Sequence, residues 1–427
     1  MINTQTFCLP LDASLHMPTH SGTYLSAMDK DFVHRSVQAL ICPLMVVEHQ
    51  RSFTGYTWSP WTFMPKDSIP VISRQENRWQ IAWRDNQSVR KMADHPSLEE
   101  VIAEFRKLRS FTQPSSHTTL QRIKRIIFLD LWLVRGQIAH TYHDVIRLLK
   151  ELDSKGIACG TLLYLPGWFA PYDSRYPLYT PAEELGGQRV FREMIDLSIK
   201  VGSIIMPHLN FWGYDPGLNL LDRDQVQGHT MDGKLGWPDH CDLSPCHEIA
   251  YMRINHPEWQ KLFFRHFDTL VQDYRLEAVF LDQIGNAFED TACDFVSATI
   301  NMLQRMHKTF PSLLLGGEGF NEMIVDHVSL VQLPWLSADL SDLATSPITY
   351  LLYKGYIRFF PHLFLPSATP CRYTFTNLPW LAEQGTDKAF LLYQELNRKM
   401  GGIPSVRLDY QRFGIDSKSL LVLESAR

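Results

Sequence analysis

A chain of 427 residues with 45% hydrophobic and 20% charged residues holds enough apolar material for a large core, which excludes a disordered or fibrous class. A net charge of −5 gives no electrostatic case for nucleic acid or an anionic membrane surface as partner. Seven scattered cysteines, an odd number, argue against a disulfide framework. The opening stretch MINTQTFCLPLDASLH lacks a basic region followed by an apolar one, and no run reaches the ~18 apolar residues of a membrane helix. The expectation is a cytoplasmic protein with reduced thiols.

Residues 1–115 read as a β-rich flanking segment with a connecting helix. ALICPLMVVEH has the continuous apolar character of a buried strand, and PVISRQENRWQIAWRDN alternates as a hairpin with Trp79, Ile81 and Trp83 on one face. PSLEEVIAEFRKLRS predicts a helix opened by a Ser97–Glu100 capping box, with Val101, Phe105 and Leu108 on its apolar face. The polar stretch 112–121 reads as a linker.

From residue 116 to 427 strand and helix patterns alternate. RIIFLDLW, IACGTLLYLPGW, SIIMPHLNFWG, LEAVFLDQIGN and SLLLGGEGF are five strands; HVSLVQLPW and IRFFPHLFLPSA make six and seven, and SLLVLES is the expected eighth. Helices fill the gaps, among them HPEWQKLFFRHFDTLVQDYR with Pro257 in its first turn. Alternation at this spacing implies a parallel sheet, and eight units in about 300 residues imply the α/β class, a (β/α)8 TIM barrel with a short N-terminal β-rich segment. No glycine-rich phosphate loop follows any strand, so no nucleotide cofactor is expected.

The active site of such a barrel lies at the C-terminal ends of its strands. Those ends carry Asp130 and Trp132, Tyr164 and Trp168, His208, Asn210 and Trp212, Asp282, Gln283 and Asn286, Glu318, and Trp335. Two carboxyls on consecutive strands, Asp282 and Glu318, surrounded by indoles and amides, are the equipment for glycosidic bond hydrolysis, with a carbohydrate as partner. Neighbouring strands stand about 4.8 Å apart, which favours the close carboxyl spacing of roughly 5–5.5 Å found in retaining enzymes. Glu318 is expected to keep its proton as the acid, because apolar LLLGG and the nearby Asp282 charge both act in that direction. Glycine beside each acid is expected to let the backbone turn away sharply. The other ten residues are expected to bind the sugar, although Asp130 suits an arginine partner equally well.

Two alternatives stand beside this reading. One is a carbohydrate-binding barrel without catalysis. The other is a zinc hydrolase using His240, Cys241, Cys246 and His247, but their H-C-x4-C-H spacing matches no standard zinc pattern, and no metal is expected.

Finally, YLPGWFAPYDSRYPLYTPAEELGGQRVFREMIDLSIKVGSIIMPHLNFWGY resembles the strand-two to strand-three region of barrel glycoside hydrolases related to the endo-α-N-acetylgalactosaminidases and their DUF6259-type cousins. MRINHPEWQKLFFRHFDTLVQDYRLEAVFLDQIGN is similar to their fourth-strand segment, and GGEG stands where their next carboxylate stands. The resemblance covers roughly residues 123–340. It implies a retaining mechanism on an α-linked sugar, with Asp282 as nucleophile and Glu318 as acid/base.

Overall fold

Eight short runs, almost wholly buried and mostly apolar, build the central sheet of the molecule, and their order along the chain is their order in space. The computed structural model describes residues 5–10, 12–17, 23–25, 42–59, 71–75, 78–83, 88–109, 118–133, 136–229, 249–285, 290, 292–319, 321–333, 348–361, 394–395, 397–398 and 401–426. They fall into two compact units, one comprising 1–114, 319–326 and 333–357, the other 115–318, 327–332 and 358–427.

The first unit is antiparallel. Strands β1 (Gln5–Pro10), β2 (Ser14–Met17), β3 (Thr23–Leu25), β4 (Leu44–His49), β5 (Ser52–Ser59), β6 (Val71–Gln75), β7 (Arg78–Trp83) and β8 (Ser88–His95) form two sheets, ordered β3-β2-β4-β5-β8 and β1-β7-β6. The hairpin expected at 70–86 is β6–β7, with Gln75 opposite Arg78. Helix α1 (Leu98–Arg109) starts at Ser97, whose hydroxyl accepts the Glu100 N–H at 3.3 Å. It buries Leu98, Val101, Ile102 and Phe105, but Leu108 is exposed, because the buried stripe runs through i, i+3, i+4 and i+7 and stops there.

The second unit is the barrel. Its strands are β9 (Arg125–Phe128), β10 (Thr161–Leu165), β11 (Ile204–Asn210), β14 (Ala278–Asp282), β15 (Leu314–Glu318), β16 (Leu330–Leu333), β17 (Arg358–Pro361) and β18 (Ser405–Arg407), and the two-residue β12 (Gly213–Tyr214) and β13 (Ala250–Tyr251) pair in the loop after β11. Neighbours run β17-β16-β15-β14-β11-β10-β9-β18, and Ile403 N–H to Phe359 carbonyl links the two ends. Helix α2 (Thr118–Arg122) leads into β9, and between the strands lie α3 (Tyr142–Ser154), α4 (Gly187–Val201), α5 (Arg223–Val226), α6 (Pro257–Tyr274) and α7 (Phe295–Thr309). The stretch read as a linker thus ends in α2, and its first part lies outside the described residues. Helix α3 carries a full capping box of Thr141 with Asp144, and α6 turns Trp259, Phe263, Phe267 and Leu270 to the core.

The eighth strand is not the expected one. SLLVLES forms the helix Ser417–Glu424, capped by Asp416, which accepts from the Lys418 and Ser419 N–H groups. Ser419 and Leu423, four apart, are buried, whereas Leu421 is 68% exposed, the signature of period 3.6. The eighth barrel position is taken by Ser405–Arg407, paired parallel to β9. No helix among the described residues is long and apolar enough to cross a membrane.

Candidate active site

Register brings the chemistry together. Strands β11 and β14 pair His208 with Phe280 and Asn210 with Asp282, so all four side chains follow one face at two-residue intervals. Strand β15 lies on the other side of β14, and the Glu318 carboxyl stands near enough to that of Asp282 to act on it. The loop ends are tied as well, since Gly285 donates its N–H to the Glu318 carbonyl at 3.0 Å. Glycine plays a different part from the one expected beside Asp282. Gln283, not glycine, turns the chain there with a φ of 55°, while Gly319 does so after Glu318 with a φ of 64°. Gly317 makes room, because a Cβ there would stand 2.2 Å from the Ile284 side chain.

Burial holds the Asp282 carboxyl well above the usual carboxylate range, with the charges of Glu318 and Asp173 adding to the push; the Asn210 hydrogen bond opposes it. Asp282 is the more deeply buried of the two strand-end acids. Asp173, in the loop after β10, is pushed up to about 7 by burial and by Glu318, against a hydrogen bond from Tyr176. Its side chain, His208 and Asp282 place ligand-capable atoms within 4.8 Å of one another. Among the described residues, these three have the spacing that a cation site would need.

Around the acids stands a layer of rings. Tyr164 hydrogen bonds His208 Nδ1 at 2.6 Å, and Trp168 donates its indole N–H to the His208 carbonyl at 2.9 Å. Phe280 stacks on His208 with centroids 5.5 Å apart, and Tyr172 approaches it at 4.8 Å. Burial pushes the Tyr164, Tyr172, Tyr176 and Tyr251 phenols up, helped by nearby carboxylates, so they serve as neutral hydrogen-bonding groups.

The structure thus gathers Tyr164, His208, Asn210, Asp282, Gln283 and Glu318. Gln283 lies beside Tyr251. Trp168 and Trp212 belong to the wall behind and offer no face for a sugar: both are fully buried, and Trp212 packs on Phe211 and Phe295. Asp130 is engaged by Arg407 of β18 through two hydrogen bonds, one of 2.6 Å. Trp132 is half-buried, with its indole N–H given to the Gly136 carbonyl at 2.9 Å. Asn286, Trp335 and the cluster at 240–247 lie outside the described residues. Sequence reasoning misses Asp173, Tyr176 and Tyr251 because none ends a central strand; an acid amid the aromatics of PYDSRYPLY was the available signal.

Comparison with known proteins agrees with this architecture. A family model described as a domain of unknown function, DUF6259, matches residues 100–295. No curated protein matches the sequence. Among solved structures, the α-N-acetylgalactosaminidase NagBb of Bifidobacterium bifidum in complex with GalNAc superposes with a TM-score of 0.68 at 13% identity, over 92% of this chain and 74% of its own. The α-galactosidase TtGalA of Thermus thermophilus, in complex with stachyose, gives 0.62 at 9% identity, over 100% and 93%. The GH36 α-galactosidase AgaA of Geobacillus stearothermophilus gives 0.57 at 9% identity, over 99% and 61%. What the chain shares with these structures is the fold, a (β/α)8 barrel.

Proposed function

We propose that the protein is a retaining glycoside hydrolase acting on an α-linked sugar, with Asp282 as nucleophile and Glu318 as general acid/base. One observation carries the reading: two neighbouring carboxyls at the ends of adjacent barrel strands, in a largely buried, ring-lined site. A retaining double displacement needs two such carboxyls, one as nucleophile and one as proton donor. With the proton on Glu318, Asp282 attacks the anomeric carbon while Glu318 protonates the departing oxygen. Glu318 then takes a proton from water, whose oxygen displaces Asp282 and restores the starting state. Asp173 and Gln283, both partly open to solvent, suit hydroxyl recognition. The α-linkage is supported by the activities named for the similar structures, all α-glycosidases.

A panel of aryl α- and β-glycosides tests the reading. Wild type should release phenol from an α-glycoside, and Asp282→Ala should lower that turnover by about 10⁴-fold or more. Added azide should partly restore it as the glycosyl azide. Undiminished turnover in Asp282→Ala would sink the assignment, as would inertness of the wild type toward the whole panel.

A further inference from the structure

Asn210 reads from sequence as a sugar ligand, yet it is only 1% exposed, and its amide is committed elsewhere. Its Oδ1 accepts the backbone N–H groups of Trp212 at 3.2 Å and Gly213 at 2.8 Å. Two donors on one atom identify that atom as the oxygen, so Nδ2 is the end that donates to Asp282 Oδ2 at 3.0 Å. His208, two residues earlier on the same face, brings its Nε2 within 3.9 Å of the same oxygen. The Tyr164 hydrogen bond and the Phe280 stack fix that ring. Strand β11 therefore fences one oxygen of the Asp282 carboxyl and leaves the other.

We propose that Asn210 is the positioning residue of the nucleophile: its amide pins Oδ2 of Asp282, so that Oδ1 attacks the anomeric carbon. This rests on the reading of Asp282 as nucleophile. An N–H on one carboxyl oxygen favours the ionised form that attack requires, opposing the upward push of burial and of the neighbouring acids. The Oδ1–C1 bond forms as the bond from C1 to the glycosidic oxygen breaks and the Glu318 proton passes to that oxygen. Oδ2 becomes the ester carbonyl and keeps its Asn210 donor. Water then gives a proton to Glu318 and its oxygen to C1, and Oδ1 departs with its electron pair. The other described groups that act on Asp282 are Glu318 from β15, Asp173 from the loop after β10, and the phenols of Tyr164, Tyr172, Tyr176, Tyr179 and Tyr251.

The isosteric variant Asn210→Asp separates this role from a structural one. It retains an oxygen for the Trp212 and Gly213 N–H groups but replaces the donor facing Asp282 with an acceptor. On the aryl glycoside that wild type cleaves, kcat should fall about 100-fold with KM little changed, as for a misplaced nucleophile. The acid limb of kcat/KM should move to higher pH, because Asp282 loses its donor and gains a like charge. The contact is also tested without turnover. Asn210→Asp should lower Tm by roughly 5 °C more at pH 8 than at pH 5, and the excess should vanish when Asp282→Asn is added. An unmoved acid limb, or an excess that survives Asp282→Asn, would overturn the inference. Inertness of wild type toward every glycoside would instead strike the hydrolase reading and leave the melting cycle to judge the contact.

Discussion

Strands β9 and β14 both place an aspartate at the C-terminal end of the barrel, Asp130 just past one and Asp282 at the end of the other, and both aspartates are buried. Their surroundings differ completely. Asp130 meets the Arg407 guanidinium in a two-point hydrogen bond that ties the first barrel strand to the eighth. Asp282 meets two further acids and an amide, and no described cation faces it apart from the titratable His208. A buried acid with an arginine has a counter-charge to offset its desolvation, whereas a buried acid among acids has none, the arrangement on which the proposed function rests. Strand-end position alone does not tell the two apart; the partner does.

The largest test of that contrast is on the structural side. Asp130→Asn takes away the carboxylate that Arg407 engages at two points and should destabilise the barrel by about 3–5 kcal/mol in urea unfolding. Adding Arg407→Met should recover much of the loss, because the guanidinium whose charge Asp130 balanced is then gone as well. A loss below about 1 kcal/mol for Asp130→Asn would show that the ion pair is not what closes strands one and eight.

The acidic side should respond with the opposite sign. Asp173 is raised from 3.8 to about 7, so between those values the folded protein holds a proton that the unfolded chain has released. Stability is then lost as pH rises through this window, in contrast to the usual carboxylate. Asp173→Asn should match wild type near pH 4 and exceed its Tm by a few degrees at pH 7.5. Equal slopes of Tm against pH in the two proteins would break the contrast.

Much of this arrangement is legible in the residues because barrel strands are buried on both faces and so read as continuous apolar runs ending in a polar residue. AVFLD and LLLGGE show their acids by that break, and position in the barrel does the rest. Partners are harder, because they come from elsewhere in the chain. Arg407 is 277 residues from Asp130, and no local pattern links them. Asp173 stands in a loop eight residues past the end of β10, where no periodicity marks it. The roles of Trp168 and Trp212 are invisible for the same reason: an indole at a strand end can face the cleft or the wall, and only packing decides.

The eighth strand gives the smallest and cleanest test of what such a run means. SLLVLES is as apolar as a strand, and the true strand, Ser-Val-Arg at 405–407, is too short to show any period. In a strand, residues 421 and 423 would share a face, and truncating either would have a similar effect. In the helix they diverge by about 200°. Leu423, fully buried, should lose about 2–3 kcal/mol as Leu423→Ala, while Leu421→Ala should stay within about 0.5 kcal/mol of wild type. Equal losses at the two positions would return SLLVLES to the sheet and remove Ser405–Arg407, with Arg407 and its hold on Asp130, from the barrel. The contrast between the two aspartates would then lose its structural half.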